Sequence, residues 1–246
     1  MLYFGVVDFF FRNYDAWQQL YSLTSSTAGT IVVDIAAAGM IAGGLAVQWQ
    51  RTLRPGAGAL GAVFLFFALC WIPKIVASPG VYGTWGSFFE EYSLVAAAAL
   101  LLATAAPQQP WSARLARFAY FSFAVCVVSF TLEQAFYLSD TAGFVPKWIP
   151  PSQMFWADFT TIAFALAAIG LLTGIQALAA ARWLTVMILG FGALLWLPAL
   201  AGDRGTQLNW GANGQNTAIA GAAWIVADYL GARRRKKTGD TSTIVN

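Results

Sequence analysis

The sequence predicts an all-α membrane protein of about seven transmembrane helices with an internal parallel three-helix repeat. Three observations predict it. First, hydrophobic residues make up 59% and charged residues 10% of 246, where an ordinary soluble domain carries about a quarter charged residues. Second, the apolar runs approach the length of about 20 residues that a helix needs to cross the hydrocarbon core. Third, the 33-residue stretch Phe66 to Ala98 recurs without a gap 125 positions later as Phe191 to Ala223, with ten identities. The identities include Trp71/Trp196, Pro73/Pro198, Gly80/Gly205, Trp85/Trp210, Gly86/Gly211 and Ala97/Ala222, so both copies read W-[I/L]-P, eleven residues, then W-G.

Seven spans are expected: Ala28 to Val47, Ala57 to Val76, Phe88 to Ala106, Leu115 to Tyr137, Met154 to Leu178, Trp183 to Leu200 and Asn216 to Gly231. Turns rich in Arg, Pro, Gly or Gln, such as R-T-L-R-P-G and P-Q-Q-P-W, separate them and stop one helix before the next begins. In Met1 to Ser22, Asp8, Arg12 and Asp15 interrupt an aromatic stretch, which fits an interfacial helix better than a span. The whole chain reads as one membrane domain: an interfacial segment 1–22, a first repeat 28–106, a linking helix 115–137, a second repeat 154–231 and a basic tail 232–246.

Orientation follows from the basic residues. Placing the C-terminus in the cytoplasm collects Arg51, Arg54, Arg114, Arg117, Arg182 and the run Arg233 to Lys237 on that side, and leaves Arg12, Lys74, Lys147 and Arg204 on the other. Basic residues concentrate at cytoplasmic helix ends. The expected location is a bacterial inner membrane, multi-pass, with the N-terminus outside, and the basic run meets anionic lipid and not nucleic acid.

Asp34 and Asp158 stand 37 and 38 residues before their tryptophans, so the duplicated unit takes in a preceding helix. Spans one to three then match spans five to seven. Corresponding helices four spans apart cross in the same direction, which relates the halves by an axis near the membrane normal. Span four is left between them.

The candidate ligand-binding or proton-handling residues are Asp34, Lys74, Glu90, Glu91, Glu133 and Asp158, all in the outer half of their spans. Charges at membrane depth are costly and usually face a bundle interior or a wet cavity. A polar vestibule with Lys74 as counter-ion would satisfy them; headgroup level would serve equally for Lys74, Glu90 and Glu91. In the second copy Ala199, Gln215 and Asn216 replace Lys74, Glu90 and Glu91. The ionisable set is therefore confined to one half. Pro73 and Pro198 read as helix kinks, and Trp85 and Trp210 as interfacial aromatics. Glu133 lies on span four, at the expected seam, where it could exchange a proton with a ligand or lock the helix in place.

Absences exclude several functions. Without histidine, imidazole-held haem, zinc or copper and a His-based triad are ruled out, so no haem or metal is expected. The last span has no lysine for a retinal Schiff base. Cys70 and Cys126 form no C-x-x-C and read as buried free thiols.

The segment F-V-P-K-W-I-P-P, Phe144 to Pro151, with the helix that follows from Trp156, resembles an element of DoxX-like integral membrane proteins, as do the W-I-P-K and L-W-L-P-A motifs and Ala220 to Asp228. The resemblance implies a membrane accessory subunit of a redox or quinone-linked complex, with a possible quinone ligand and with membrane or periplasmic redox proteins as partners beside the lipids. It supplies no catalytic residues. From the residues themselves, a structural anchor for membrane partner proteins and a small-solute or lipid transporter stay open.

Overall fold

The computed structural model describes residues 6, 27–205 and 207–242, and the expected interfacial segment 1–22 falls almost wholly outside them. The described residues are helical, with no strand among them. In chain order the helices are α1 (Thr27–Ala46), α2 (Leu53–Cys70), α3 (Ile72–Ala77), α4 (Tyr82–Thr104), α5 (Ser112–Phe136), α6 (Leu138–Phe144), α7 (Gln153–Thr173), α8 (Ala177–Phe191), α9 (Leu197–Gly202) and α10 (Gln207–Ser242). A π-helical turn, Gly192–Trp196, joins α8 to α9.

Six helical stretches are long and apolar enough to cross a membrane: Gly29–Ala46, Leu53–Ala77, Tyr82–Thr104, Ser112–Phe136, Gln153–Thr173 and Ala177–Gly202. The protein is thus a multi-pass membrane protein with six such helices against the seven expected. The helix that falls short is α10, 36 residues long, because Asn213, Gln215, Asn216 and Asp228 dilute its apolar residues. Its length does not fail; its polarity does. It also runs on through the basic residues Arg233 to Lys237 to Ser242, where a separate tail was expected.

Contacts at the helix ends fix the directions. Gly43 of α1 packs on Leu60 of α2, and Gly56 lies so close to α1 that an added Cβ would sit 2.7 Å from the Ala46 Cβ. Small residues allow this approach in a bilayer, where association rests on packing and polar contacts. Arg54, near the start of α2, donates from Nε to the Ala105 carbonyl just past α4 at 2.7 Å, a cation at a helix C-terminus. Ser112 at the start of α5 donates to the Ala103 carbonyl at 2.7 Å, and at the other end the Gly83 N–H donates to Tyr137 Oη at 3.1 Å. Early α5 meets late α7 where Tyr120 Oη donates to the Leu171 carbonyl, and Gly170 packs on Ala180 of α8. Asn216 near the start of α10 donates to the Ile188 carbonyl near the end of α8 at 2.9 Å. Each of these pairs is antiparallel, so α4 and α10 run parallel, as do α1 and α7, and α2 and α8.

Packing closes a ring. Helix α4 packs on α5, α5 on α7, α7 on α8, α8 on α10, and α10 returns to α4, while α2 rests on α4 and carries α1. Alanines buried on α4 (Ala96, Ala97, Ala98, Ala103) and on α10 (Ala218, Ala220, Ala222, Ala223, Ala227) keep these central helices close-packed.

The two stretches that share sequence also share local structure at the same offset of 125. Helix α3 begins at Ile72 and ends at Ala77, and α9 begins at Leu197 and ends at Gly202, each with a proline in its first turn. Trp85 Nε1 donates to the Pro79 carbonyl at 3.1 Å, and Trp210 Nε1 to the Arg204 carbonyl at 3.0 Å. Ser78 N–H closes on the Lys74 carbonyl at 2.9 Å, and Asp203 N–H on the Ala199 carbonyl at 3.0 Å. The expected kinks at the two prolines coincide with interruptions of the long helices, in different ways. At Trp71 the helix simply breaks, whereas at Gly192–Trp196 it widens into the π turn. The expected interfacial tryptophans Trp85 and Trp210 use their N–H groups to tie the preceding loop to the helix start.

Helix α7 is the most sharply delimited. Ser152 Oγ accepts from the Phe155 N–H at 3.1 Å, capping the first turn. Gly174, at φ 78°, ends it in the left-handed region that a residue without Cβ enters freely.

Candidate functional site

Inside the ring, at the end where α4, α7 and α10 begin and α2, α5 and α8 finish, lies a cavity of about 800 Å³. All of the membrane-crossing helices and α10 contribute to its wall: Met40 from α1, Phe64 and Phe67 from α2, Glu90 and Glu91 from α4, Phe130 and Glu133 from α5, Trp156 and Phe164 from α7, Ile188 and Phe191 from α8, and Gln215 and Asn216 from α10. Helix α6 and the segment that follows add Asp140, Thr141, Phe144, Val145, Pro146 and Ile149. That segment is the F-V-P-K-W-I-P-P element. It is tied down by Gln153 Nε2 donating to the Val145 carbonyl at 2.5 Å, by Trp156 Nε1 donating to the Pro150 carbonyl at 2.8 Å, and by the Phe144 ring against Trp196 at 6.1 Å.

The wall is mostly apolar and aromatic, with its polar groups few and distinct. This is the usual make-up of a small-molecule site, in which a few polar groups orient an otherwise apolar ligand. No Lys or Arg is among the wall residues, whereas Glu90, Glu91, Glu133 and Asp140 are. Glu90 interacts electrostatically with both Glu133 and Glu91. Three carboxyls from two helices therefore face one space without a basic side chain in the wall.

Glu133 reaches this position because α4 carries a glycine opposite it. A Cβ added at Gly86 would lie 2.3 Å from Cδ and both carboxyl oxygens of Glu133, so the carboxyl rests on the bare backbone of α4. At the equivalent residue of α10, Gly211, an added Cβ would meet nothing within 4 Å, and Gly211 lines the cavity. The same glycine thus receives the carboxyl of α5 on one side and leaves open space on the other.

Three polar atoms of wall residues are buried without a hydrogen-bond partner: Trp71 Nε1, Glu91 Oε2 and Gln215 Nε2. A buried polar group left unpaired costs about 1–3 kcal/mol, so three around one cavity need a reason. By contrast, Asn216 beside Gln215 is satisfied by the Ile188 carbonyl, and Gln134 Oε1 accepts from Thr160 Oγ1 and Thr161 Oγ1 at 3.3 and 3.1 Å.

Of the six expected candidates, Glu90, Glu91 and Glu133 come together on the cavity wall. Lys74 does not line it; its Nζ stands over the Trp71 ring at 5.0 Å, so the expected counter-ion holds the back of a wall residue. Asp34 and Asp158, expected inside the bundle, are exposed positions of α1 and α7 and take no part in the wall. Both helices are apolar on every face, so periodicity gave no way to tell which face carries the aspartate. The sequence reading missed Trp71 and Gln215 as site residues. Their available signal was the conserved tryptophan spacing of the two copies and the change from Glu90 to Gln215, which keeps hydrogen-bonding capacity while removing charge.

Cys70 and Cys126 are unbridged. Among the described residues, no three acidic, cysteine or histidine side chains are arranged to hold a metal ion. No family model, curated protein or solved structure matches this chain.

Proposed function

We propose that this protein is an integral membrane subunit that binds a quinone-class lipid in the cavity and serves a redox-linked membrane complex. The observation that carries the reading is the cavity itself: about 800 Å³ of mostly apolar space, three of whose wall residues carry a buried, unpartnered polar atom. An amphiphile with a flat head and an apolar tail places its head against Trp71, Glu91 and Gln215 and its tail among the phenylalanines. Glu133, at the junction of α5 with α4, is placed to exchange protons with that head. A structural anchor would need no such space.

In this reading α10 is a seventh span, kept in the membrane by its packing on α4 and α8, with Gln215 and Asn216 in the cavity wall. The two halves, α1 to α4 and α7 to α10, are copies related by an axis near the membrane normal, with α5 as the linking helix. The matching offsets of helix ends and hydrogen bonds support the duplication. The cavity end of the bundle is opposite the helix ends that carry Arg51, Arg114 and Arg182, which supports an outer-side cavity in a bacterial inner membrane with the last helix ending in the cytoplasm. That Phe144, Val145, Pro146 and Ile149 line the cavity supports the DoxX-like resemblance of their segment as a functional one. Electrons would come from a partner protein.

Extraction and mass spectrometry of lipids that co-purify with the protein in mild detergent test the reading. A stoichiometric quinone, lost when Trp71 is replaced by Ala, is expected. Bulk phospholipid alone would overturn it.

A further inference from the structure

The two halves are unbalanced around α5. Helix α5 packs on α4 and on α7 and leads into α7 through α6, whereas no described helix takes the matching place between α10 and α1. Helix α1 nevertheless buries a face there. Val33, Ala36, Ala37 and Met40, at helical spacing along one side, are buried, Val33 and Met40 at 0% exposure. The described helix that packs on α1 is α2, and it does so about a quarter-turn round, where Gly39 meets Val63 and Gly43 meets Leu60. At the offset of 124 between Asp34 and Asp158, the buried face corresponds to Ala157, Thr160, Thr161 and Phe164 of α7. That is the face on which α5 lies. Thr160 and Thr161 donate to Gln134 Oε1, and the Phe164 ring packs on Phe130 at 6.0 Å.

We propose that residues 1–26 of the same chain are the counterpart of α5 and α6, packed between α1 and α10 with Asp8 and Arg12 on the cavity. The inference does not depend on which ligand the cavity takes. The segment runs directly into α1 as α5 and α6 run into α7, and consecutive elements are usually neighbours in space. At the offset of 125 that relates the two copies, it repeats the α5–α6 pattern without a gap: Asp8 matches Glu133, Phe11 matches Phe136 and Asp15 matches Asp140, while Thr27 at the start of α1 matches Ser152, the cap of α7. The α10 side is also open where the α4 side is filled. Glu133 rests on Gly86, whereas among the described residues nothing lies within 4 Å of a Cβ at Gly211. An aspartate, one methylene shorter than a glutamate, reaches less far toward α10, in keeping with that open space. Across the halves the cavity wall already pairs Trp71 with Trp196, Glu90 with Gln215 and Met40 with Phe164. Docking of the segment gives the wall residues Glu133, Tyr137 and Asp140 their counterparts too, in Asp8, Arg12 and Asp15. Arg12 is the segment's one basic residue, and it brings a cation to a wall whose described residues include Glu90, Glu91, Glu133 and Asp140 and no Lys or Arg. Helix α5 is then the first helix of the second copy, the repeat has four helices instead of three, and the segment leaves the interfacial position that its sequence suggests.

Cysteine cross-linking in the full-length protein, with Cys70 and Cys126 replaced by Ala, tests the placement. Gln134→Cys with Thr161→Cys is the reference pair, because these side chains meet at 3.1 Å. The equivalent pair, Phe9→Cys with Ala37→Cys, should form a disulfide within one chain under mild oxidation. Its rate should lie within about threefold of the reference and be about tenfold or more above that of Phe9→Cys with Ile35→Cys, since a disulfide forms only where the two Cα atoms come within about 7 Å; Ile35 is on the exposed side of α1. Gly5→Cys with Met40→Cys, the equivalents of Phe130 and Phe164, serves if the first pair fails to fold. Equal rates at Ala37 and Ile35, or no cross-link where the reference pair forms one, overturns the docking. A cross-link that joins two chains puts the segment of a second copy in this place and overturns the assignment to the same chain. The quinone-class reading stands or falls separately, on the lipid that co-purifies.

Discussion

Gly86 offers the sharpest test of how the cavity is built. The carboxyl of Glu133 occupies the place where a Cβ at residue 86 would stand, at 2.3 Å from Cδ and both oxygens. Gly86→Ala therefore has two opposed effects. In the interior of α4 an alanine gains about 1 kcal/mol of helix propensity over glycine. The collision forces the carboxyl off the α4 backbone, and overpacking of this kind costs about 1–3 kcal/mol. The single variant should thus be destabilised by about 0–2 kcal/mol. In a Glu133→Ala background the colliding atoms are gone, and the same substitution should stabilise by about 1 kcal/mol. The difference, a coupling of about 1–3 kcal/mol, lies within the range that contacting residues show in double-mutant cycles. Reversible SDS unfolding in mixed micelles, followed by circular dichroism, measures all four proteins of the cycle. Gly86→Ala having the same effect in both backgrounds, within about 0.5 kcal/mol, would refute the placement of Glu133 on α4. The equivalent Gly211→Ala, which meets open space, should be stabilising without any dependence on Glu133.

Other expectations follow from single contacts. Tyr120→Phe removes the hydroxyl bond to the Leu171 carbonyl that joins α5 to α7 and should cost about 1–2 kcal/mol in the same unfolding assay. Asn216→Leu leaves the Ile188 carbonyl without its side-chain donor and should cost about 1 kcal/mol, with weaker quinol binding because the wall beside Gln215 shifts. Trp85→Phe and Trp210→Phe delete matching bonds to the preceding loops, so their costs should agree within about 0.5 kcal/mol if the two halves are equivalent there. Asp158→Asn, at an exposed position outside the cavity, should leave quinol affinity within about twofold; a larger change would assign that carboxylate a role the geometry does not give it.

The helices were legible because their apolar runs are long and Pro73 and Pro198 mark interruptions near their ends; the end of α7 at Gly174 was not, since the expected span ran on to Leu178. The seventh falls short in apolarity because α10 carries Asn213, Gln215, Asn216 and Asp228, of which Gln215 and Asn216 line the cavity. Glu90, Glu91 and Glu133 were expected in the outer half of their spans, and the structure gathers them on one wall. Azimuth was not legible. A membrane helix is apolar toward lipid and toward its neighbours alike, so the two-sided pattern that orients a soluble helix is missing, and Asp34 and Asp158 were turned inward without warrant. The orphan atoms at Trp71 and Gln215 were beyond the sequence for another reason. Whether an indole or amide finds a partner depends on how two remote helices meet, here α2 and α10, and no local pattern records it.

Photoaffinity labelling tests the central claim most directly: that the cavity between the halves holds a quinone-class head group. An aryl-azide quinone with a decyl tail, reduced in place and irradiated with the purified protein, should label peptides containing Trp71, Glu91 or Gln215, and excess decyl benzoquinol should suppress the labelling. Labels confined to the exposed outer faces, such as Ile31, Val32 and Ile35 of α1, and insensitive to the competitor would contradict it.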